Sequence, residues 1–389
     1  MDTEKRIPRE QVVPVVEDLI RLDSQNPGSD ESLVTEYIRD YMDKLGVPVT
    51  LIPVTDRRVN LVARIPGSGQ AEPIAFTGHM DVVPVNEAEL SRWETPPFEP
   101  TYRDGKLFGR GSTDMKGGLG AAMAAMGALR RRGVTPPGDV LLIATVDEED
   151  MMRGAKTLIG TDLLRDVRDL VVCEPTDMKI ICSGRGRSWA DVTLVGRSGH
   201  ASIENNGNNA ILQAMELIRA LREEQHRVPF TPHPQLGNFF WQVTVIHGGV
   251  EPAMVPDTCV ATVDTRPVPG QTCAEIWDKF FELVAELEKT RPGFRAETKI
   301  IEVREPWETP RTDPLVLRAE RCFTELGLPI GFDSANYTTD GCVFSRIGVK
   351  SIIIGPGHIA QAHRENEWVD PEQLVQAANV YYALMTERA

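Results

Sequence analysis

The sequence has few features of secreted, membrane-bound or disulfide-rich proteins. Its six cysteines include no Cys-x-x-Cys pair, and several lie inside apolar runs, so we expect buried, reduced thiols rather than disulfides or cysteine zinc ligands. The first residues lack the apolar stretch of a signal peptide, and no apolar run approaches membrane-spanning length. These absences predict a cytoplasmic protein that does not enter a membrane.

Positive charge and phosphate-binding motifs are also scarce. The net charge of −15 at pH 7 argues against nucleic acid as a partner, because a phosphate binder needs a basic face. Neither G-x-G-x-x-G nor G-x-x-x-x-G-K-[ST] is present, which argues against a nucleotide-binding oxidoreductase. The remaining composition is that of an ordinary globular protein, and 389 residues suggest about two to three domains.

Short apolar runs alternate with amphipathic helical patterns through much of the chain. This alternation is typical of a sheet flanked by helices. We therefore predict an α/β domain, with helices on both faces of a mixed sheet, formed by residues 1–182 and 305–389. Its predicted elements are two helices within about residues 8–46, strands at Val49–Val54, Leu61–Ile65, Ile74–Thr77, Val140–Val146, Leu170–Cys173 and Ser351–Ile354, and helices at Gly117–Arg132, Ala155–Leu164, Pro314–Leu326 and Pro371–Thr386.

The pattern changes near residue 183. The next elements follow the order β-α-β-β-α-β, which is that of a ferredoxin-like sandwich. We predict that residues 183–304 form an inserted α+β domain of ordinary size. Its predicted strands are Trp189–Val195, Phe239–Ile246, Cys259–Thr265 and Phe294–Val303, and its helices are Ala210–Arg222 and Cys273–Leu287.

Side chains that can bind metal follow several predicted strands at their carboxyl ends. In open α/β sheets these ends form the binding crevice, so the side chains would meet at one site. Their negative charges would repel one another unless cations lay between them. The sequence therefore predicts a two-metal hydrolase, with these candidate residues: His79 and Asp81, Asp114, Glu148 and Glu149, and Glu174.

Each candidate also has an interpretation without catalysis. A lone histidine is more often structural, but Asp81 can accept the second ring N–H of His79 and fix the tautomer that binds metal. Asp114 could be a helix N-cap, although a carboxylate bridging two cations accounts better for its position. Glu148 and Glu149 could form a solvated acidic turn. In an extended segment they would point in opposite directions, one to a metal and one to the attacking water as general base.

The remaining candidates are less well defined by the sequence. Glu174 precedes a proline and could also be an exposed turn residue. His358 and His363 both follow a Gly-Pro-Gly turn, and spacing alone does not decide which of them binds metal. His200 and Arg266 each end a strand of the inserted domain. The arginine is either a surface ion pair or a bidentate clamp for a substrate carboxylate.

Three segments resemble motifs of the dinuclear zinc aminoacyl hydrolases, which include acetylornithine deacetylase, succinyl-diaminopimelate desuccinylase, carboxypeptidase G and aminoacylase. They are Gly78–Asp81, Gly109–Gly117 and Asp147–Glu149, and the similarity extends from about Leu22 to Glu367. The resemblance implies a zinc-aminopeptidase-like catalytic domain and an inserted domain that serves as a dimerisation lid. It also implies two divalent metal ions, zinc first, with cobalt or manganese as alternatives.

The resemblance assigns a role to each candidate. It favours His363 over His358, from its Ala-His-x-x-x-Glu context. His200 would reach the site of the partner subunit and polarise the carbonyl oxygen, and Arg266 would meet the substrate carboxylate. The implied roles in the metal centre are these: His79 and Glu174 on one metal, Glu149 and His363 on the other, Asp114 as the bridge, Glu148 as general acid/base, and Asp81 orienting His79.

The chain departs from the family pattern at two places. Ala253-Met-Val-Pro256 stands where members often have Asn-x-[IV]-Pro, which removes a polar group associated with substrate recognition. Met151-Met152 replaces the glycine that commonly follows the acidic turn. Neither change affects a proposed metal ligand.

These residues predict a homodimeric amidohydrolase that cleaves an N-acyl amino acid or a related small amide. The alternative is a dipeptidase or carboxypeptidase with the same metal site. A non-catalytic binding protein of this fold would be expected to lack a ligand or the base, and all of them are present in the sequence. The predicted dimer forms through residues 183–304.

Overall fold

The computed structural model describes residues 6–204 and 206–387, and these form two compact units. The larger unit runs to Cys182 and resumes over Thr309–Asp333 and from Thr339 onward. The smaller unit comprises Ser183–Glu308 and Ser334–Thr338. Each unit contains a hydrophobic core of its own.

The described elements are named in chain order. The helices are α1 (Arg9–Arg21), α2 (Ser32–Lys44), α3 (Glu87–Leu90), α4 (Lys116–Arg131), α5 (Arg153–Leu158), α6 (Ala210–Glu224), α7 (Cys273–Thr290), α8 (Pro314–Leu326), α9 (Gly341–Phe344) and α10 (Pro371–Thr386). The strands are β1 (Val49–Pro53), β2 (Val59–Ile65), β3 (Ile74–His79), β4 (Thr101–Arg103), β5 (Lys106–Phe108), β6 (Val140–Thr145), β7 (Asp169–Val172), β8 (Ile180–Gly184), β9 (Arg187–Val195), β10 (Trp241–Gly248), β11 (Thr258–Thr265), β12 (Ala296–Arg304), β13 (Trp307–Glu308), β14 (Phe332–Ala335), β15 (Lys350–Ile353) and β16 (Trp368–Val369). Short 3₁₀ helices lie at Asp162–Leu164, Ser345–Ile347 and Ile359–Gln361.

The larger unit is built on a mixed sheet with the strand order β1-β2-β6-β3-β7-β15-β8. The central strands β6, β3, β7 and β15 run parallel to their neighbours in that group, whereas β1 and β2 are antiparallel. Strands β3 and β6 are buried along their whole length, as expected for apolar runs covered on both faces. The predicted α/β class with a mixed sheet is confirmed.

Helix α4 lies deep in the core of the larger unit. Its residues from Lys116 to Leu129 are buried, and most are glycine, alanine or methionine. It packs against α1, α10 and β3. Small side chains allow this close approach, because a buried helix surrounded by other elements has no room for bulk.

The smaller unit follows the predicted order of elements. Its four strands form an antiparallel sheet with the order β10-β11-β9-β12, and α6 and α7 share one core with it. Strand β9 alternates between buried and half-buried residues, which is the period of a strand with one covered face. Helix α7 begins with a capping box formed by Thr272 and Glu275.

Two further sequence expectations concern the chain as a whole. All six cysteines are buried, and no disulfide joins them within the described residues. Among residues 6–204 and 206–387, no helix has the length and apolarity needed to span a bilayer.

Candidate metal centre

Three neighbouring parallel strands bring the first candidate residues together. His79 is the last residue of β3, Glu174 follows the end of β7 by two residues, and Glu148 and Glu149 follow β6. Because β6, β3 and β7 are adjacent and parallel, their carboxyl ends meet at one edge of the sheet. The side chains that the sequence placed after separate strands are therefore neighbours.

Asp114 reaches the same place from the start of α4. A Cβ atom at Gly118 would lie 1.8 Å from the carbonyl oxygen of Cys173, so only glycine permits the contact between α4 and the end of β7. This contact brings the residues that precede α4 next to Glu174. The alternative role of Asp114 as a helix cap is wrong, because Met115 is the N-cap residue and makes no side-chain cap bond.

The two oxygen atoms of Asp114 face two different imidazole rings. His79 Nε2 lies 3.0 Å from Asp114 Oδ1, and His363 Nε2 lies 3.3 Å from Asp114 Oδ2. One carboxylate thus separates two groups of nitrogen and oxygen donors. This is the arrangement expected of an aspartate that bridges two metal ions.

A glutamate accompanies each imidazole. Glu174 Oε1 lies 3.5 Å from His79 Nε2, and we call this pair the inner half-site. Glu149 Oε2 lies 3.0 Å from His363 Nε2, and we call this pair the outer half-site. The His79 side chain is 1% exposed and that of His363 is 54% exposed.

Asp81 contacts His79 through a different atom from the one expected of an orienting aspartate. His79 Nδ1 lies 2.9 Å from the main-chain carbonyl oxygen of Asp81, whereas the nearest carboxylate oxygen is 3.7 Å away. A carbonyl oxygen can only accept, so Nδ1 carries the hydrogen and Nε2 is left as the ligand atom. The tautomer is the predicted one, but the backbone fixes it.

The Asp81 carboxylate instead holds the turn that carries the two glutamates. Its Oδ1 accepts the main-chain N–H of Glu148 at 3.2 Å, and its Oδ2 accepts that of Glu149 at 3.1 Å. Asn26 Nδ2 also donates to Oδ2, at 2.9 Å, and Arg58 Nη2 donates to Asn26 Oδ1 at 2.9 Å. Asn26 and Arg58 therefore belong to the support of the site, although no local pattern singled them out.

The prediction of an extended segment at Glu148 and Glu149 was wrong. The segment is a turn, entered through a left-handed Asp147 with φ of 64°. The turn allows two successive N–H groups to bond to one carboxylate, which an extended strand cannot do. The two side chains nevertheless separate, since Glu149 pairs with His363 while a carboxylate oxygen of Glu148 lies within 4.8 Å of the ligand atoms of His79 and Glu174.

Burial and mutual repulsion dominate the electrostatics of the carboxylates. Burial, and then the neighbouring Asp114, raises the pKa of Glu174 to about 7. Burial likewise raises the pKa of Glu149, and it raises the pKa of Glu148 well above its ordinary value. Glu148 Oε1 is buried and has no hydrogen-bond partner among the described residues. Cations bound between these carboxylates would relieve their mutual repulsion.

The pKa values of the two histidines are raised as well, but by the neighbouring carboxylates rather than by burial. Hydrogen bonds to Asp114 and Glu149 raise the pKa of His363 to about 11. Burial alone would lower the pKa of His79, but Asp114 and Glu174 raise it well above its usual range. Each imidazole Nε2 thus faces the carboxylates across a position that a divalent cation would take. Two imidazole Nε2 atoms and three carboxylates form a donor set that suits zinc, cobalt or manganese.

The structure distinguishes the positions of His358 and His363. His358 caps the 3₁₀ helix at Ile359–Gln361, where its Nδ1 accepts the N–H of Ala360 at 3.0 Å. His363 is the one that lies beside Asp114.

His200 and Arg266 both belong to the smaller unit. His200 is exposed, and its Nδ1 accepts the main-chain N–H of Ser202 at 3.2 Å. Arg266 Nε donates to both carboxylate oxygens of Asp264, at 3.0 and 2.9 Å. This nitrogen therefore takes part in an ion pair, as one of the two interpretations of Arg266 expected. Their roles toward a substrate stay predictions.

Asp340, which was not among the residues predicted from the sequence, lies near the general-base candidate Glu148. Thr145 Oγ1 donates to Asp340 Oδ2 at 2.6 Å, and the Asp340 charge contributes to the raised pKa of Glu148. Asp340 lies at the start of the short helix α9, far along the chain from the other acidic residues. An acidic residue before a glycine was the only local signal.

The chain is similar in sequence and in fold to known metallopeptidases and deacylases. A family model described as peptidase family M20/M25/M40 matches residues 75–387. The chain is 29% identical to a probable succinyl-diaminopimelate desuccinylase of Staphylococcus epidermidis, over 95% of both chains. It is 30% identical to an acetylornithine deacetylase of Myxococcus xanthus, over 83% of this chain and 82% of the relative. A solved Bacillus subtilis structure, described as a dinuclear metal-binding peptidase of the M20 family, superposes with a TM-score of 0.75 at 15% identity, over 97% of both chains.

Proposed function

Because the chain belongs to peptidase family M20/M25/M40, and is therefore a metal-dependent hydrolase of amide bonds, we propose that it hydrolyses an N-acyl amino acid or a related small amide. The curated relatives support this substrate class, since they are named as a desuccinylase and a deacetylase. Buried cysteines without disulfides suit a reducing compartment, and we propose that the enzyme acts in the cytoplasm.

We assign two divalent metal ions to the site, with zinc as the first choice and cobalt or manganese as alternatives. His79 and Glu174 would hold one ion, His363 and Glu149 the other, and Asp114 both. The observation that carries this proposal is the position of Asp114, whose two oxygens each face one imidazole Nε2, at 3.0 and 3.3 Å. Divalent ions in such a site acidify water and polarise the carbonyl group of the substrate.

Glu148 supplies the proton transfers in this proposal. Its Oε1 is buried and without a hydrogen-bond partner among the described residues, so it is available to accept the proton of the attacking water. The same oxygen then delivers that proton to the leaving nitrogen as the C–N bond breaks. The Asp81 carboxylate fixes the main chain of Glu148, which keeps the base beside the ligands without making it one.

The smaller unit would complete the site in a homodimer formed through residues 183–304. Exposed apolar side chains on α6 and β10 support such an interface, namely Leu212, Met215, Val245 and Ile246. Because His200 Nδ1 accepts the N–H of Ser202, the ring hydrogen lies on Nε2. That hydrogen is the donor needed to stabilise an oxyanion in the site of the partner subunit. Arg266, held by Asp264, would bind the substrate carboxylate.

The substitution Glu148→Gln tests the proposed chemistry. We expect turnover to fall by roughly 10²–10⁴-fold, because the amide cannot accept the proton of water. Metal content, measured by elemental analysis, should stay at the wild-type value. The exposed Glu87→Gln is the matched control and should leave both quantities unchanged. Unaltered turnover in Glu148→Gln would exclude this residue as the base.

A substrate panel separates deacylase from peptidase activity. N-acetyl and N-succinyl amino acids and dipeptides would be tested on zinc- and cobalt-loaded protein. We expect the N-acyl amino acids to be cleaved with the highest kcat/KM. Preferred cleavage of dipeptides would favour the alternative of a dipeptidase or carboxypeptidase with the same metal site.

A further inference from the structure

A buried ion pair lies behind the outer half-site. Arg110 Nη1 donates to Glu367 Oε2 at 2.9 Å, and both side chains are 1% exposed. On its other side Arg110 Nη2 donates to Glu89. Removing one partner of a fully buried pair leaves an uncompensated charge, so each of these two side chains depends on the other.

The second oxygen of Glu367 is bonded to the main chain of the bridging aspartate. Glu367 Oε1 accepts the N–H of Thr113 at 2.8 Å and the N–H of Asp114 at 3.0 Å. One carboxylate therefore uses one oxygen for the arginine and the other for two successive peptide groups. With its main chain fixed, Asp114 has only its side-chain torsions left to vary.

The same pair also holds the loop that carries His363. Arg110 Nη1 donates to the carbonyl oxygen of Arg364 at 3.1 Å, which is the residue after His363. Glu367 lies four residues after His363, and its carbonyl oxygen accepts the N–H of Gly109 at 3.0 Å. The ion pair thus connects the main chain beside Asp114 to the main chain beside His363.

We propose that Glu367 and Arg110 are positioning residues for the outer half-site, because they hold Asp114 and His363 at the separation that one metal ion requires. This inference rests on the two-metal function proposed above. The inner half-site does not depend on the pair in the same way, since His79 is fixed by β3 and by the Asp81 carbonyl. Loss of the pair should therefore weaken the binding of the outer metal ion, which loses support at both Asp114 and His363, more than that of the inner ion, which shares only Asp114.

The substitution Glu367→Gln tests the proposal. An amide can present its oxygen to the two N–H groups only by turning its NH₂ toward Arg110, where two donors then face each other. We expect the affinity for the second equivalent of Co²⁺ to fall by roughly 10–100-fold, as for other residues that support metal ligands. Titration of metal-free protein, followed by the visible absorption of Co²⁺, should show a larger change in the spectrum of the second equivalent than in that of the first.

Glu89→Gln is the matched control. Glu89 is also a buried partner of Arg110, but within the part of the chain that the structure describes it has no hydrogen bond or ion pair with Asp114 or His363. It should lower the melting temperature and leave the second equivalent of Co²⁺ at near wild-type affinity. If Glu367→Gln does not fold, Arg110→Lys provides the same test, since one ammonium group cannot reach Glu89, Glu367 and the Arg364 carbonyl together.

The outcomes separate this inference from the proposed function. A wild-type protein that binds fewer than two Co²⁺ ions would contradict the two-metal function itself. Two ions in the wild type, with equal weakening of both in Glu367→Gln, would overturn the positioning role alone. An equal effect of Glu89→Gln on the second ion would also overturn it, because the loss would then follow from any damage to the buried charges.

Discussion

The inner and outer half-sites use the same kinds of side chain on very different supports. His79 ends a fully buried strand that is hydrogen-bonded on both sides. His363 lies in a loop, with a left-handed backbone at φ of 60°, and more than half of its side chain is exposed. A strand end within a packed sheet fixes the main chain of a ligand, and for His79 one bond to the Asp81 carbonyl then orients the ring. A loop needs dedicated hydrogen bonds, and Glu367 and Asn366 provide them here.

Removing the histidine of each half-site should give the largest difference between them. His79→Ala leaves Glu148 and Glu174 buried without a neighbouring imidazole and Asp114 with that of His363 alone, so we expect it to lose both metal ions and essentially all turnover. His363→Ala should keep one ion in the inner half-site. The loop that carries His363 is open to water, so the change leaves His79 and Glu174 in place. Elemental analysis after gel filtration and kcat/KM for the best N-acyl substrate measure both effects.

Circular dichroism serves as the control for these two variants, because an unfolded His79→Ala would lose metal for a trivial reason. In that event His79→Gln, which fills the same space, replaces it. Retention of one ion by the His79 variant and loss of both by His363→Ala would reverse the comparison.

A change beneath the inner half-site should have the next largest effect. In a helix, glycine to alanine ordinarily stabilises by about 1 kcal/mol. At Gly118 the new Cβ would collide with the Cys173 carbonyl oxygen, so Gly118→Ala should instead destabilise by about 1–3 kcal/mol. Urea unfolding of the metal-free protein measures this.

Gly160→Ala, in the turn after α5, is the control for steric overlap, because among the described residues its Cβ would approach only the Thr157 carbonyl oxygen, at 3.4 Å. Equal stability of the two alanine variants would show that α4 can move away from β7 without cost. The inner half-site would then be no more rigid than the outer one.

The regular parts of the fold could be predicted from the sequence because their signals are local. Helix α8 and strand β15 follow directly from hydrophobic periodicity and flanking proline or glycine. The six-element pattern of the smaller unit is read in the same way. The predicted starts of β10 and β12 were two residues early, since aromatic Phe239 and Phe294 belong to the core but precede the paired segments.

The support of the metal centre could not be predicted, because it depends on contacts between distant segments. Nothing near Glu367 indicates that its carboxylate binds the main chain at Asp114. The same holds for Asn26, which reaches the Asp81 carboxylate across 55 residues. The turn at Asp147 was misread as extended, since a left-handed aspartate leaves no periodic signal.

Asn366 offers the mildest test of the outer half-site. Its Oδ1 accepts the N–H of Glu94 at 2.7 Å and its Nδ2 donates to the Arg92 carbonyl oxygen at 3.0 Å, with a left-handed backbone at φ of 57°. Asn366→Ala loses both bonds, which are largely exposed, so we expect a local cost of about 1 kcal/mol. That corresponds to a roughly fivefold lower affinity for the second metal ion, which competition with a chelator would measure.

Asn366→Asp separates the contributions of the two hydrogen bonds. It keeps the acceptor for the Glu94 N–H, loses the donor to the Arg92 carbonyl oxygen, and tolerates the left-handed backbone. It should lie between the wild type and Asn366→Ala. The stability of the metal-free protein should barely change in either variant, since the loop contributes little to the core. A weakening of both metal ions by equal factors would mean that the loop and the sheet end act as one rigid body, and the contrast between the half-sites would then be one of exposure alone.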